Sequence, residues 1–275
     1  MTKPIEQLTI TDDFMFGAVM SAPEYCKPLL EMILGVKIRE IRYPELQKTI
    51  SERYASKGVR LDAYVEDDAG TVYDVEIQTA DKKNLPKRMR YYQGLIDLHI
   101  LEKGEDYAAL RKSFVIFICA YDPFGKGRYV YEFDSRCRQD FSVALGDEAT
   151  KVVLNAKGRV GEASADLKAL LRYMDGAAPE SGYTRALDKA VTAIRRDEKW
   201  RREYMVLAER DRANRRLGER RRSVAQVRKF RNRFGADELA ELYILSPTAV
   251  TMILDAIDAH PDWDDETIAE NVDFG

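Results

Sequence analysis

Asp62, Glu76 and Gln78 are the residues of this chain whose types and spacing could do chemistry. They lie on two stretches, 59–66 and 71–78, that alternate polar and apolar residues as half-buried strands do. Leu61, Ala63 and Val65 share one side of the first stretch, and Tyr73, Val75 and Ile77 share one side of the second. The opposite face carries Asp62, Tyr64, Glu66, Asp74, Glu76 and Gln78. Asp68-Ala69-Gly70 forms a three-residue hairpin loop, with glycine where the left-handed position of the bulge requires it. That loop pairs Asp67 with Thr71 and sets Asp62 opposite Glu76. Opposed residues hold their Cβ atoms about 4.5–5.5 Å apart, where like charges destabilise a sheet. A divalent cation would resolve the conflict, and carboxylate oxygens completed by water suit Mg²⁺. The competing reading is a solvated strand face, and a two-residue loop would send the two acids to opposite faces.

Such a hairpin needs a scaffold, and the bulk composition allows one. The chain has 275 residues, 45% of them hydrophobic, enough for one large domain or a domain with an appendage. A formal net charge of −3 means that any nucleic-acid contact must use a local basic patch. The three cysteines, Cys26, Cys119 and Cys137, are widely spaced, which fits a reducing compartment rather than a disulfide framework. With only His99 and His260, a multi-histidine metal site is excluded, so a metal would be held by oxygen. No signal pattern and no long apolar run occur, so the expectation is a cytoplasmic protein without membrane spans.

Thr11-Asp12-Asp13 reads as a helix cap, and Phe14, Phe16, Val19 and Met20 begin an apolar face. Pro23 and Pro28 interrupt it, and a second segment closes at Leu34 before Gly35. Residues 36–54 read as extended, with strands at 38–43 and 47–54. After the hairpin, 84–102 is a helix on the spacing of Leu85, Met89, Tyr92, Ile96 and Ile100. Its other face offers Lys82, Lys83, Lys87, Arg88 and Arg90, either for phosphate contact or as an ordinary solvated face. Residues 113–120 form a continuous apolar run, the signature of a central buried strand. Further strands are predicted at 128–134 and 150–155, a short helix at 164–173 and a loop at 176–182. From 183 to 234 arginine pairs and the triplet Arg220-Arg221-Arg222 dominate a long helix or pair of helices. Residues 237–274 outline short helices with a cap at Ser246 and an acidic end. This could be a helix-turn-helix, but the second helix lacks base-reading side chains, so a packing module is favoured.

Asp62, a short turn and Glu76-Ile77-Gln78 together resemble the PD-(D/E)XK nuclease signature, and more closely the Rpn recombination-promoting nuclease or transposase-like group. Asp13-Phe14-Met15-Phe16 resembles its D-x-x-F opening. Arg60-Leu61-Asp62 with Val75-Glu76-Ile77-Gln78 resembles its acidic core, with Gln in place of Lys. Residues 87–92 and 104–107 resemble its following helix and loop. The resemblance covers roughly 9–175. It implies an α/β (α+β) fold with a restriction-endonuclease-like αβββαβ core, and Mg²⁺- or Mn²⁺-dependent DNA cleavage. Asp62 and Glu76 would hold the metal, Gln78 would orient water, and Asp13 would be an accessory acid. Lys87, Arg88, Arg90, Arg220, Arg221 and Arg222 are the candidate DNA contacts. The expected organisation is a nuclease-like domain over 1–175, a basic helical arm over 183–234 and a small helical segment over 235–275. The alternatives are a catalytically silent nucleic-acid-binding or interaction scaffold, and a homo-oligomer built on the long C-terminal helices.

Overall fold

The protein is described by a computed structural model over residues 3–43 and 62–274. The strand expected at 47–54, together with Arg60 and Leu61, lies outside the described residues. Helix α1 (Asp13–Met20) is followed by α2 (Pro23–Leu34), in which Pro23 takes a first-turn position and Gly35 ends the helix at φ 66°. Strands β1 (Ile41–Arg42), β2 (Ala63–Asp67) and β3 (Val72–Gln78) form an antiparallel meander. Helix α3 (Leu85–Ile100) then crosses over to β4 (Ser113–Cys119), which runs parallel to β3. The αβββαβ order is present. Strands β5 (Val130–Phe133) and β6 (Ala149–Asn155) complete a sheet of order β1-β2-β3-β4-β6-β5, with β4 central as its apolar run requires.

The chain divides into two compact units, with the boundary after Arg201. The first includes α4 (Ala165–Met174), capped by Ser164, and α5 (Gly182–Arg196), capped by Ser181. Helix α5 buries Leu187, Val191 and Ile194, and it packs against α1. Arg195 donates to the Leu8 carbonyl at 2.6 and 2.9 Å. The first part of the expected basic arm, 183–201, therefore lies in the sheet-bearing unit, which extends to Arg201.

The second unit joins most of α6 (Glu198–Phe230) to α7 (Ala236–Tyr243), α8 (Pro247–Ala259) and α9 (Asp265–Asn271). Val224, Val227, Leu239, Val250, Ile253, Ile257 and Ile268 form its core. The acidic end has a partner: Glu266 pairs with Arg221 at 2.8 Å, Asp265 pairs with Arg228 at 2.8 Å, and Arg231 pairs with Asp258. The C-terminal part of α6 and the terminal helices share this core within one compact unit. Among the described residues, no single helix is long and apolar enough to cross a membrane.

Candidate functional site

The hairpin register places the acids together. Ala63 pairs with Val75 and Glu66 with Val72, and the Asp67 N–H donates to the Thr71 carbonyl at 3.0 Å. Gly70 takes φ 81°, as the three-residue loop demands. One step past the ladder, Asp62 faces Glu76, and each carboxylate binds the other strand's backbone. The Asp62 N–H donates to Glu76 Oε1 at 2.9 Å, and the Ile77 N–H donates to Asp62 Oδ2 at 3.0 Å.

The polar face is not solvated. Asp74, Glu76 and Gln78 are 0%, 2% and 4% exposed, so β3 is buried on both faces. Tertiary packing is the reason. Helix α3 lays Leu85, Met89, Tyr92 and Ile96 over this face, against Tyr64, Val72, Val115 and Phe117. Burial raises the pKa of Asp74 and of Glu76 well above the ordinary carboxylate values, and the Asp62 charge pushes both further in the same direction. Arg88 and the Asp62 N–H oppose this at Glu76. Both Asp74 oxygens and the Tyr64 hydroxyl have no hydrogen-bond partner among the described residues, and Asp74 and Tyr64 are register partners.

Arg88 enters the cluster from α3. Its Nη2 donates to Glu76 Oε2 at 3.1 Å and to the Tyr92 hydroxyl at 2.6 Å, and its Nη1 donates to Gln78 Oε1. The guanidinium lies 5.1 Å from the Phe117 ring centroid and 5.2 Å from that of Tyr92. Burial works against the Arg88 charge, but the Tyr92 hydrogen bond and the Glu76 and Asp62 charges raise its pKa. The Gln78 Nε2 donates to the Ala80 carbonyl at 2.5 Å.

Helix α1 closes one side. A Cβ on Gly17 would lie 3.0 Å from the Asp62 carbonyl oxygen, so the missing side chain permits the approach. Asp13 lies one turn earlier on the same face. Its pKa is raised by burial, with Arg88 and Lys82 pulling it down. The structure therefore gathers Asp13, Asp62, Glu76, Gln78 and Arg88. Lys87 and Arg90 are exposed on α3, turned away from the Arg88 contacts. Arg220, Arg221 and Arg222 belong to the second unit, where Arg221 pairs with Glu266 and Arg220 stands 5.0 Å over the Phe274 ring.

Sequence reasoning gave Asp74 no role, although it lies two residues before Glu76 on the same face. Arg88 was grouped with the phosphate contacts. The available signal was its place between Leu85, Met89 and Tyr92, a charge within the apolar stripe of a helix.

A hard divalent cation fits this donor set. The Asp62 and Glu76 carboxylates offer hard oxygen donors at the start of the hairpin ladder, each held by a backbone N–H, and the Arg88 guanidinium is bonded to Glu76. Among the described residues no group of three acid, histidine or cysteine side chains is arranged to hold a metal ion, so an ion on Asp62 and Glu76 would depend on water or substrate oxygens to complete its shell.

The mixed sheet with its αβββαβ core is consistent with a restriction-endonuclease-like fold, which defines the class. Residues 11–144 match the family described as PD-(D/E)XK nuclease family transposase, which supports a PD-(D/E)XK transposase-like relationship for that part of the chain. No curated protein and no solved structure matches the chain. The family supports a nuclease-type function in general.

Proposed function

We propose that the protein is a DNA endonuclease hydrolysing phosphodiester bonds with Mg²⁺ or Mn²⁺ held by Asp62 and Glu76. The observation that carries this is the pair of cross-strand bonds that hold both carboxylates, Asp62 N–H to Glu76 and Ile77 N–H to Asp62, inside a cluster where burial and mutual repulsion favour an added cation. A bound divalent ion would polarise the scissile phosphate and acidify water beside it. The chain itself does the positioning. The Ile77 N–H fixes one Asp62 oxygen, the Asp62 N–H fixes one Glu76 oxygen, and Arg88 fixes the other. Asp13, on α1 near Arg88, is a candidate accessory acid. Lys87 and Arg90 offer exposed charge beside the site for the phosphate backbone. The protein would act in the cytoplasm, consistent with cysteines that form no disulfide among the described residues.

The second reading is a catalytically silent nucleic-acid-binding scaffold. It draws on Gln78, which cannot change its charge as a lysine can. Plasmid nicking in Mg²⁺ and in EDTA, for wild type and Asp62→Asn, separates the two. Nicking by wild type in Mg²⁺ alone, lost in Asp62→Asn, supports hydrolysis. Absence of Mg²⁺-dependent nicking by either protein would transfer the case to the silent scaffold, and equal nicking by both would overturn the assignment of Asp62.

A further inference from the structure

The Gln78 amide is already committed at both ends. Its oxygen accepts from Arg88, and its nitrogen donates to the Ala80 carbonyl. A side chain held in this way is poorly placed to direct water. The guanidinium that it holds is bonded at the same time to Glu76, the other polar residue of the Glu76-Ile77-Gln78 triplet. One cation from α3 therefore spans both polar positions of the strand.

Resting on the hydrolytic site described above, we propose that Arg88 supplies the fixed positive charge beside Glu76 that a lysine at position 78 would otherwise provide. Gln78 is the positioning residue that holds it, and the guanidinium meets an oxygen of the scissile phosphate. Arginine has five N–H donors. Three are used by Gln78, Glu76 and Tyr92, which leaves two among the described contacts. The Arg88 side chain is 28% exposed, so it retains an edge towards solvent where an oxyanion could bind. The remaining donors, the Nε–H and one Nη1–H, can each meet a single phosphate oxygen, and stacking against Phe117 and Tyr92 limits the freedom of the guanidinium. Arg88 thus differs from Lys87 and Arg90, whose exposed charges can serve backbone attraction only.

The arrangement predicts an interaction between two positions that a packing role would not produce. Arg88→Ala should lower nicking in Mg²⁺ by about 10²-fold, the loss typical of one donor to a developing oxyanion. Gln78→Lys alone should lower nicking as well, because it sets a second cation against Arg88. The double variant Arg88→Ala with Gln78→Lys should recover at least tenfold over Arg88→Ala, since one cation again stands beside Glu76. Thermal unfolding in EDTA supplies a readout without activity: each single change should lower the melting temperature, and the double should regain part of the loss. A double variant no better than Arg88→Ala in either measurement overturns the proposal. If wild type shows no Mg²⁺-dependent nicking, the hydrolytic reading fails, and the EDTA unfolding series alone decides whether the two positions share one charge. Should Arg88→Ala not fold, Arg88→Gln takes its place with the same two outcomes.

Discussion

Burying Asp74 and Glu76 beside Asp62 should make the metal-free protein less stable as pH rises, the reverse of an acid held by a salt bridge. Both carboxyls have folded pKa values raised above their ordinary 3.8 and 4.5, chiefly by burial and then by the Asp62 charge. The folded state therefore holds protons that the unfolded chain has released. The stabilisation is complete below those ordinary values and is lost as pH climbs through the folded ones. Each proton held only by the folded state is worth about 1.4 kcal/mol per pH unit. Across a titration from about pH 5.5 to 7.5, each pH unit over which only the folded state holds that proton lowers the melting temperature by about 3–6 °C for a unit of this size. The exposed acids with lowered pKa values, such as Asp68, Asp81 and Asp134, are ionised in both states over that window and add no slope. Melting curves in EDTA across the window read the effect directly. Asp74→Asn cannot ionise, and it also removes one charge facing Glu76, so the slope should fall by roughly half or more. Stability that is flat or rising with pH in wild type, or a slope unchanged in Asp74→Asn, would refute the argument.

Two further predictions concern the surroundings of the cluster. Gly17→Ala adds a Cβ 3.0 Å from the Asp62 carbonyl oxygen. A gain in helix propensity of up to about 1 kcal/mol should offset the crowding, so stability changes little while Mg²⁺-induced stabilisation falls; an undiminished Mg²⁺ response would show that the contact does not position Asp62. For the second unit, changing Arg220, Arg221 and Arg222 together to Ala should reduce the slope of log K for DNA against log salt by no more than about 2, since Arg221 already pairs with Glu266 and each phosphate counts about 0.9. An unchanged slope would remove the triplet from the DNA surface.

The hairpin was legible because its register depends on local chemistry. Three loop residues with Gly70 at positive φ fix which residues oppose, and period-2 alternation puts Asp62, Asp74, Glu76 and Gln78 on one face. The same alternation says nothing of what covers that face, so α3 packing over it, and the burial of Asp74, were not readable from β3. Arg88 shows a related difficulty. Among neighbouring basic residues it reads as part of a solvated charge run, and only the position of Glu76 turns it inward. Similarly, the arginines of α6 read as an exposed arm because Asp258, Asp265 and Glu266 are distant in sequence and near in space.

The central claim is that Asp62 and Glu76 share one divalent cation, and thermal unfolding at pH 7.5 with and without Mg²⁺ tests it most directly. A ligand bound only by the folded state at a hundredfold over its Kd adds about 2.7 kcal/mol. Wild type should therefore melt about 5–10 °C higher in saturating Mg²⁺ than in EDTA. Asp62→Asn keeps an oxygen to accept the Ile77 N–H but removes one negative charge. It should show little Mg²⁺ response, with EDTA stability equal to wild type or slightly higher. An Mg²⁺ shift in Asp62→Asn as large as that of wild type, or a substantial loss of its stability in EDTA, would contradict the account.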